Sequence, residues 1–508
     1  MTVEMSDGLR SNLVSGNFRP SSVQAVPLIS VAALVGAAVS QDAGVTGVTH
    51  ASDQVKPGDL YAALPGSRRH GAEFAQAAID AGAVAVLTDR PLDLPVPVLV
   101  VADPRGVLGA VADLVYGEPS AKLTIIGITG TAGKTSTAYL IEAGLRAAGR
   151  VTGLIGTVET RLGDTVLESV RTTPEAPDLH ALFALALERG VTTMVMEVSS
   201  HALAMGRVGG VRFDVVGWTN FGTDHLDFHT DSADYFAAKA KLFDGRAPIE
   251  ILNLDDEALT PLLKAGTVTY SASGARKATW RAAEVTDDGF GQTFTAYGPM
   301  GHLTAGVSLP GRHNIANALL ALAALAGAGV RPEVAAAGVA ACPGVPGRLE
   351  RVKAPGEIIG VVDYAHKTDA IVAVLAALRE LAQARSGRVI CVLGAGGDRD
   401  KGKRPHMGSA AAQGSDLLIV TDDNPRTEDP AAIRAAVMAG ARAFSGGGTV
   451  IEIPGRREAI VEAVHHAKPG DIVALLGKGH ERGQEINGET LPFDDRVELT
   501  LALKAAQA

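Results

Sequence analysis

A short, mostly apolar run over 123–128 leads directly into Thr129-Gly130-Thr131-Ala132-Gly133-Lys134-Thr135-Ser136, and a helical stretch follows to about Ala148. No other feature restricts the fold so strongly. The run reads as a buried strand, and Gly149 sits where a helix C′ residue belongs. Strand, small-residue turn and helix in that order form half of a strand–helix–strand unit, whose natural setting is a parallel sheet covered by helices. The small residues let backbone N–H groups converge on phosphate oxygens, and the helix N-terminus adds partial positive charge. Lys134 can then reach the β/γ-phosphates, and the Thr135 hydroxyl can bind Mg²⁺. The GxxxxGK[ST] pattern fails by one position, because Ile128 stands where its first glycine belongs and Gly127 comes one residue early. A chance glycine-rich turn is the bland alternative. The flanking strand and helix favour ATP or another nucleoside triphosphate.

The same alternation recurs in three blocks. Residues 1–118 hold strands at 83–87 and 96–101 with a helical stretch at 72–81, and Gly117-Glu118-Pro119-Ser120 closes them. Residues 119–346 contain the phosphate loop and end at Cys342-Pro343-Gly344-Val345-Pro346. Residues 347–508 place strands at 358–362, 389–393, 417–421 and 472–476 between Ala-rich helical segments. At roughly 150 residues per domain, 508 residues also suggest about three α/β domains. Against 56 acidic residues stand 46 Lys and Arg, with no basic block, and aromatics make up only 4%. That balance argues against a nucleic-acid partner. Cys342 and Cys391 are too few for a disulfide framework and fit a reducing cytoplasm. Residues 25–39 look like a signal peptide's apolar segment, but Pro27, Ser30 and Gly36 interrupt it, and Glu4 and Asp7 dilute the basic start. The segment is also short for a membrane span. The expectation is a core-facing helix over 28–38 after a loose N-terminal tail, in a cytoplasmic chain without stable membrane association.

Two further strands end in chemistry. The run 193–198 carries Glu197 near its end, where an acid can ligate a nucleotide's magnesium or simply face solvent. The run 215–219 leads to Asn220 and then Asp224-His225-Leu226-Asp227-Phe228-His229; Leu226 breaks the HExxH zinc pattern. In Asp234-Tyr235-Phe236-Ala237-Ala238-Lys239, a helix puts Lys239 on the face of Tyr235, Phe236 and Phe243. Burial there disfavours an ammonium, and a neutral amine can add carbon dioxide to become a carbamate ligand for Mg²⁺. Spacing alone favours the alternative, a snorkelling lysine with its head in water.

Gly130–Thr135, Thr172-Thr173-Pro174, Glu197-Val-Ser-Ser-His-Ala-Leu203, Asn220 with Asp224-His225-Leu-Asp227, and Tyr235-Phe-Ala-Ala-Lys239 occur in order. This series resembles the ATP-dependent Mur ligases of peptidoglycan synthesis, over nearly the whole chain. The resemblance implies a UDP-sugar domain, a central P-loop ATPase-type sheet and a C-terminal Rossmann-like amino-acid domain. It accounts for the shortened phosphate loop and reverses the preference at Lys239, since the family carbamylates the matching lysine. Two Mg²⁺ ions are implied, one held through Thr135 and Glu197 and the other by His225 and carbamylated Lys239. ATP would also meet Gly130, Thr131, Ala132, Gly133, Lys134, Ser136, Asn314, Arg348 and Asp363.

The resemblance assigns Ser52, Thr172, Thr173, Ser199 and Arg207 to a UDP-N-acetylmuramoyl dipeptide. Family members often have Asp-Ser-Arg where this chain has Ala51-Ser52-Asp53. Asp423-Asn424-Pro425-Arg426 resembles the signature of members that add meso-diaminopimelate rather than L-lysine. Arg426 can grip that acceptor's distal carboxylate with two hydrogen bonds, and Glu481 with the Asn424 carbonyl can take its distal ammonium. Arg399 and Gly477 complete the implied acceptor set. A monomer is expected, and closure of the third domain would exclude water from the reaction. A folylpolyglutamate synthase would share the central chemistry but not the first block or Asp423–Arg426. A nucleotide sensor without catalysis would not need Lys134, Glu197, His225 and Lys239 together.

Overall fold

The computed structural model describes residues 18–167, 169, 171–444, 446 and 448–506. The chain forms two compact units. One is built from the chain up to Ser271 with Ala275–Trp280 and Leu320–Val339; the other comprises Ala272–Gly274, Arg281–Leu319 and the chain from Ala340 on. Residues 281–319, read from sequence as part of the 119–346 block, thus group with the C-terminal region.

In the first unit, Gly47–Thr49, Asp59–Ala62, Ala85–Thr88 and Val98–Val100 form a four-stranded parallel sheet. Helices Leu28–Val35 and Pro104–Val115 contribute Leu28, Val31, Leu108 and Val111 to its core. The first helix stops short of the expected residue 38 because Gly36 turns left-handed, at φ +68°. Residues 1–17 of the expected loose tail lie outside the described residues. Its remainder is anchored: half-buried Arg19 pairs with buried Asp59 at 2.5 Å, and the Ser21 hydroxyl donates to Glu188. Charge pairing across distant elements overrides the tail's polar composition.

The larger sheet of this unit is centred on Thr124–Thr129, which lies parallel between Thr193–Glu197 and Val215–Trp218. Thr152–Ile155 extends it on one side, and Ile249–Asn253 with Val268–Ser271 on the other, all parallel. Their loops therefore leave from one edge, where ligands gather in such sheets. The alternation did not announce the antiparallel hairpin Thr160–Leu162/Thr165–Leu167 beyond Thr152–Ile155. Its strands are three residues long and turn at Gly163, too short to show a period.

The second unit has an antiparallel ribbon, Trp280–Asp288, Gly291–Gly298 and Gly301–Val307. It also has a six-stranded sheet ordered Glu350–Val352, Ile359–Asp363, Ile472–Leu476, Val389–Leu393, Leu417–Val420, Thr449–Glu452. Only Glu350–Val352 runs antiparallel. Parallel strands covered by helices on this plan make it Rossmann-like. A fully buried pair, Arg456 and Asp495, meets at 2.6 and 2.7 Å. Arg456 also donates to the Leu476 and Asp422 carbonyls, tying together the ends of two strands whose loops carry the acceptor motifs. Among the described residues, no helix is long and apolar enough to cross a membrane.

Candidate active site

The phosphate loop is pinned from the neighbouring strand. Asn220 accepts from the Ala132 N–H at 3.0 Å and donates to its carbonyl at 3.1 Å, while the Thr219 hydroxyl donates to the same carbonyl. Gly130 (φ +141°) must be glycine, because a Cβ would run into the Thr219 hydroxyl. Helix Lys134–Ala147 starts immediately after the loop. The Lys134 ammonium rests on the loop's own Gly130 and Thr131 carbonyls at 2.7 and 3.1 Å.

Glu197 joins this loop to the next group of residues. Its buried carboxylate accepts from the Thr135 hydroxyl at 3.1 Å, the Thr157 N–H at 2.8 Å and the Thr157 hydroxyl at 3.1 Å. The solvent-facing alternative for this acid is thereby overturned. Thr157 in turn lies 3.0 Å from Thr172, and Thr173 donates to the Glu197 backbone carbonyl while accepting from the Ser199 N–H. Arg207 donates to the Thr173 carbonyl and pairs with Glu175 at 2.9 Å; Arg105 and Arg171 flank the same carboxylate. Burial pulls the Arg207 guanidinium below its ordinary pKa despite Glu175. Sequence reasoning missed Thr157. The available signal was its position just beyond the strand Thr152–Ile155, on the edge where the loops converge.

Lys239 does not snorkel. It is 1% exposed, its Nζ donates to the Gly130 carbonyl at 2.9 Å, and it lies 4.8 Å from the centre of the Tyr235 ring. Of the expected aromatic face, Tyr235 meets Lys239, whereas Phe236 and Phe243 pack on Trp218 and the α-helix ends at Ala240, before Phe243; the bond to the loop carbonyl of Gly130 holds Lys239 inside. His225, held at φ +53°, has Nε2 3.1 Å from Asp224 and packs edge-on against His201 and Tyr235. A carboxylate on the second ring nitrogen is the arrangement that orients a ligating histidine. Among the described residues, no three His, Cys, Asp or Glu side chains converge as metal ligands. The Thr135 hydroxyl spends its proton on Glu197, which leaves its oxygen lone pairs for a cation.

In the first block, Ser52 opens the short helix Ser52–Gln54. In the second unit, both Asp363 oxygens accept backbone N–H groups, from Leu349 and Ala365, and Arg348 stacks 4.6 Å from the Tyr364 ring. Burial raises the Asp363 pKa even beside Arg348. The Asn314 amide donates to the Pro310 carbonyl and accepts from Asn317.

The acceptor motifs come together on one loop edge. Arg426 sits at φ +52°, strapped by backbone bonds to Glu485 and Asn487. Its Nε donates to Glu485 at 2.8 Å and Nη1 to the Gly397 carbonyl at 2.7 Å, and the side chain stays partly exposed. Arg404 holds Glu428 through two bonds and clamps the Gly396–Arg404 loop that carries Arg399 against this turn. Gly477 (φ +115°) has no room for a Cβ, which would lie 2.6 Å from Asp423 Oδ2. The Asn424 side-chain oxygen already accepts from Lys478 and the Glu485 N–H, and its backbone oxygen accepts from Gly397. Both Asn424 oxygens are thus already engaged within the loop, which counts against the ammonium role expected of that carbonyl.

Comparison with known proteins agrees with this arrangement. Residues 44–116 match the model of the Mur ligase family catalytic domain, 128–325 the Mur ligase middle domain, and 347–479 the Mur ligase glutamate ligase domain. The chain is 52% identical over 502 residues to the UDP-N-acetylmuramoyl-L-alanyl-D-glutamate–2,6-diaminopimelate ligase of Streptomyces avermitilis, covering 96% of this chain and 98% of that enzyme. A solved structure of a ligase with the same name superposes with a TM-score of 0.70 at 32% identity, covering 95% of this chain and 100% of the other. A MurF ligase from Thermotoga maritima in complex with ADP shares the fold, with a TM-score of 0.61 at 16% identity over 91% of this chain and 98% of that one. Phosphate loop, threonine cluster and acceptor loops sit on matching domains, and the chain belongs to the Mur ligase family.

Proposed function

We propose that this chain joins meso-diaminopimelate to the D-glutamyl γ-carboxylate of UDP-N-acetylmuramoyl-L-alanyl-D-glutamate with the energy of ATP, in the cytoplasm and as a monomer. The observation that carries the reading is the Asp423–Arg426 turn, whose Arg426 is held by Glu485 and the Gly397 carbonyl and stays partly exposed. An acceptor with a distal carboxylate and a distal ammonium suits Arg426 and Glu481. The domain limits proposed with this reading are 1–118, 119–346 and 347–508, with residues 281–319 grouping with the C-terminal compact unit.

ATP phosphorylates the γ-carboxylate, and the acceptor amine then attacks the acyl phosphate and expels phosphate to leave an amide. Such chemistry rests on positioning and charge stabilisation rather than on a covalent nucleophile. Lys134 and the loop N–H groups gather the phosphates. Thr172, Thr173, Ser199 and Arg207 hold the muramoyl peptide, and Ser52 its nucleotide. Arg348, Asp363 and Asn314 would support the nucleoside end of ATP, while Asp423, Gly477 and Arg399 shape the acceptor loop. Two Mg²⁺ ions, held by Thr135 with Glu197 and by His225 with carbamylated Lys239, supply charge neutralisation when bound.

The test offers meso-diaminopimelate, L-lysine and L-ornithine to the same UDP-muramoyl dipeptide and reads products by mass spectrometry. The diaminopimelate adduct should dominate, and phosphate release should require both dipeptide and acceptor; a dominant L-lysine adduct would overturn the reading. Arg426→Lys should raise the KM for meso-diaminopimelate about tenfold or more, because lysine keeps the charge but loses the two-pronged grip. The KM for ATP should stay near the wild-type value. A diaminopimelate KM within a factor of about two of wild type would show that Arg426 is not its ligand, since a charged hydrogen bond is worth more than that.

A further inference from the structure

The acceptor loop contains a buried cation to which the proposed chemistry assigns no role. Lys478, between Gly477 and Gly479, is 0% exposed, although a lysine is almost never fully buried unless paired. Its Nζ donates to Asn424 Oδ1 at 2.9 Å and lies 3.3 Å from Glu481 Oε2. The Glu485 N–H also donates to Asn424 Oδ1, at 3.0 Å. Two donors on one side of the amide require oxygen there, so the Asn424 NH₂ must face the other way. There it donates to Glu481 Oε2 at 2.8 Å. One carboxylate oxygen of Glu481 is thus committed to Lys478 and Asn424, and the side chain stays 31% exposed.

We propose that Lys478 is a positioning residue for the acceptor amino acid. Its ammonium fixes the Asn424 amide and one oxygen of Glu481, so that the other oxygen of Glu481 is presented to the acceptor's distal ammonium. The same charge bars that ammonium from Asn424 Oδ1, since two cations cannot share the acceptor in a buried corner. The acceptor is then read at two separate points, with its ammonium on Glu481 and its carboxylate on Arg426. This assignment rests on the proposed diaminopimelate activity.

The experiment measures steady-state kinetics of the full chain with ATP, UDP-muramoyl dipeptide and meso-diaminopimelate. In Lys478→Met the KM for meso-diaminopimelate should rise about tenfold or more, as for a lost charged hydrogen bond. The KM values for ATP and dipeptide should stay within about twofold, and kcat at saturating acceptor should fall less than that KM rises. Lys478→Gln, which keeps an N–H donor without the charge, should fall between Met and wild type. Hydroxylamine trapping of the acyl phosphate without acceptor shows that each variant is folded. An unchanged diaminopimelate KM in a folded Met or Gln variant overturns the assignment. So does equal damage to all three substrates, or the failure of both variants to fold, either of which makes Lys478 merely structural. Wild type that forms no diaminopimelate adduct would defeat the proposed activity itself, a result separate from any of these.

Discussion

Lys134→Ala folds normally and loses turnover by at least about 10²–10³-fold, the cost of removing one preorganised charge stabiliser from a polar transition state. The side chain packs no core. Its ammonium bonds the Gly130 and Thr131 carbonyls, and Gly130 keeps a second donor in Lys239. The loop also keeps its clamps from Thr219 and Asn220. Net hydrogen-bond losses of about 1 kcal/mol each are therefore the structural price, too small to unfold the unit. During phosphoryl transfer the same ammonium would face oxygens that gain and redistribute charge, and no other lysine of the loop can substitute for it. The check is ADP formation with dipeptide and acceptor saturating, alongside a thermal melt. Near-normal turnover in a folded variant would defeat the phosphate-loop assignment.

How much of this was legible in the sequence depended on burial. Strands covered on both faces are continuous apolar runs, and Val389–Leu393 and Ile472–Leu476 lie where their runs predict, residue for residue. The phosphate loop was legible because its chemistry needs small residues and a lysine in a fixed order. The hairpins were not. Gly483–Ile486 and Glu489–Pro492 are half-buried or exposed and mix polar with apolar residues, and the ribbon from Trp280 to Val307 is mostly polar outside its alternate positions.

Single polar residues were legible only where a motif named them. Lys478 lies between Gly477 and Glu481, both of which the resemblance names, yet nothing in its spacing reveals a lysine folded inward onto Asn424. Arg456 and Asp495 are 39 residues apart, so only the closed sheet brings them together. Thr157 follows a strand as many threonines do; its bond to Glu197 requires two neighbouring strands to be in register.

Lys239→Ala should lose activity by a margin similar to Lys134→Ala, and a short carboxylic acid in the buffer should restore part of it, while Lys241→Ala should do little. The buried Nζ lies under the phosphate loop, bonded to Gly130 and close to the Tyr235 ring. His225, which packs against the same Tyr235 ring, belongs to the proposed second magnesium site, where a bare ammonium would be repelled. A carbamate answers both conditions. Its nitrogen keeps one N–H for the Gly130 carbonyl, and its carboxylate turns the group into an anion suited to a cation. Removing the side chain leaves a gap that acetate or formate can enter, whereas an added acid replaces neither the packing nor the positive charge of an ordinary structural lysine. The measurement is ligation rate against acid concentration at fixed ionic strength, so that screening does not imitate rescue. A second reading comes from wild type labelled with ¹³C-bicarbonate, in which a carbamate resonance should be present and should vanish in Lys239→Ala but persist in Lys241→Ala. A flat acid response together with no such resonance in active wild type would defeat the carbamate and leave Lys239 as a buried ammonium serving only to hold Gly130.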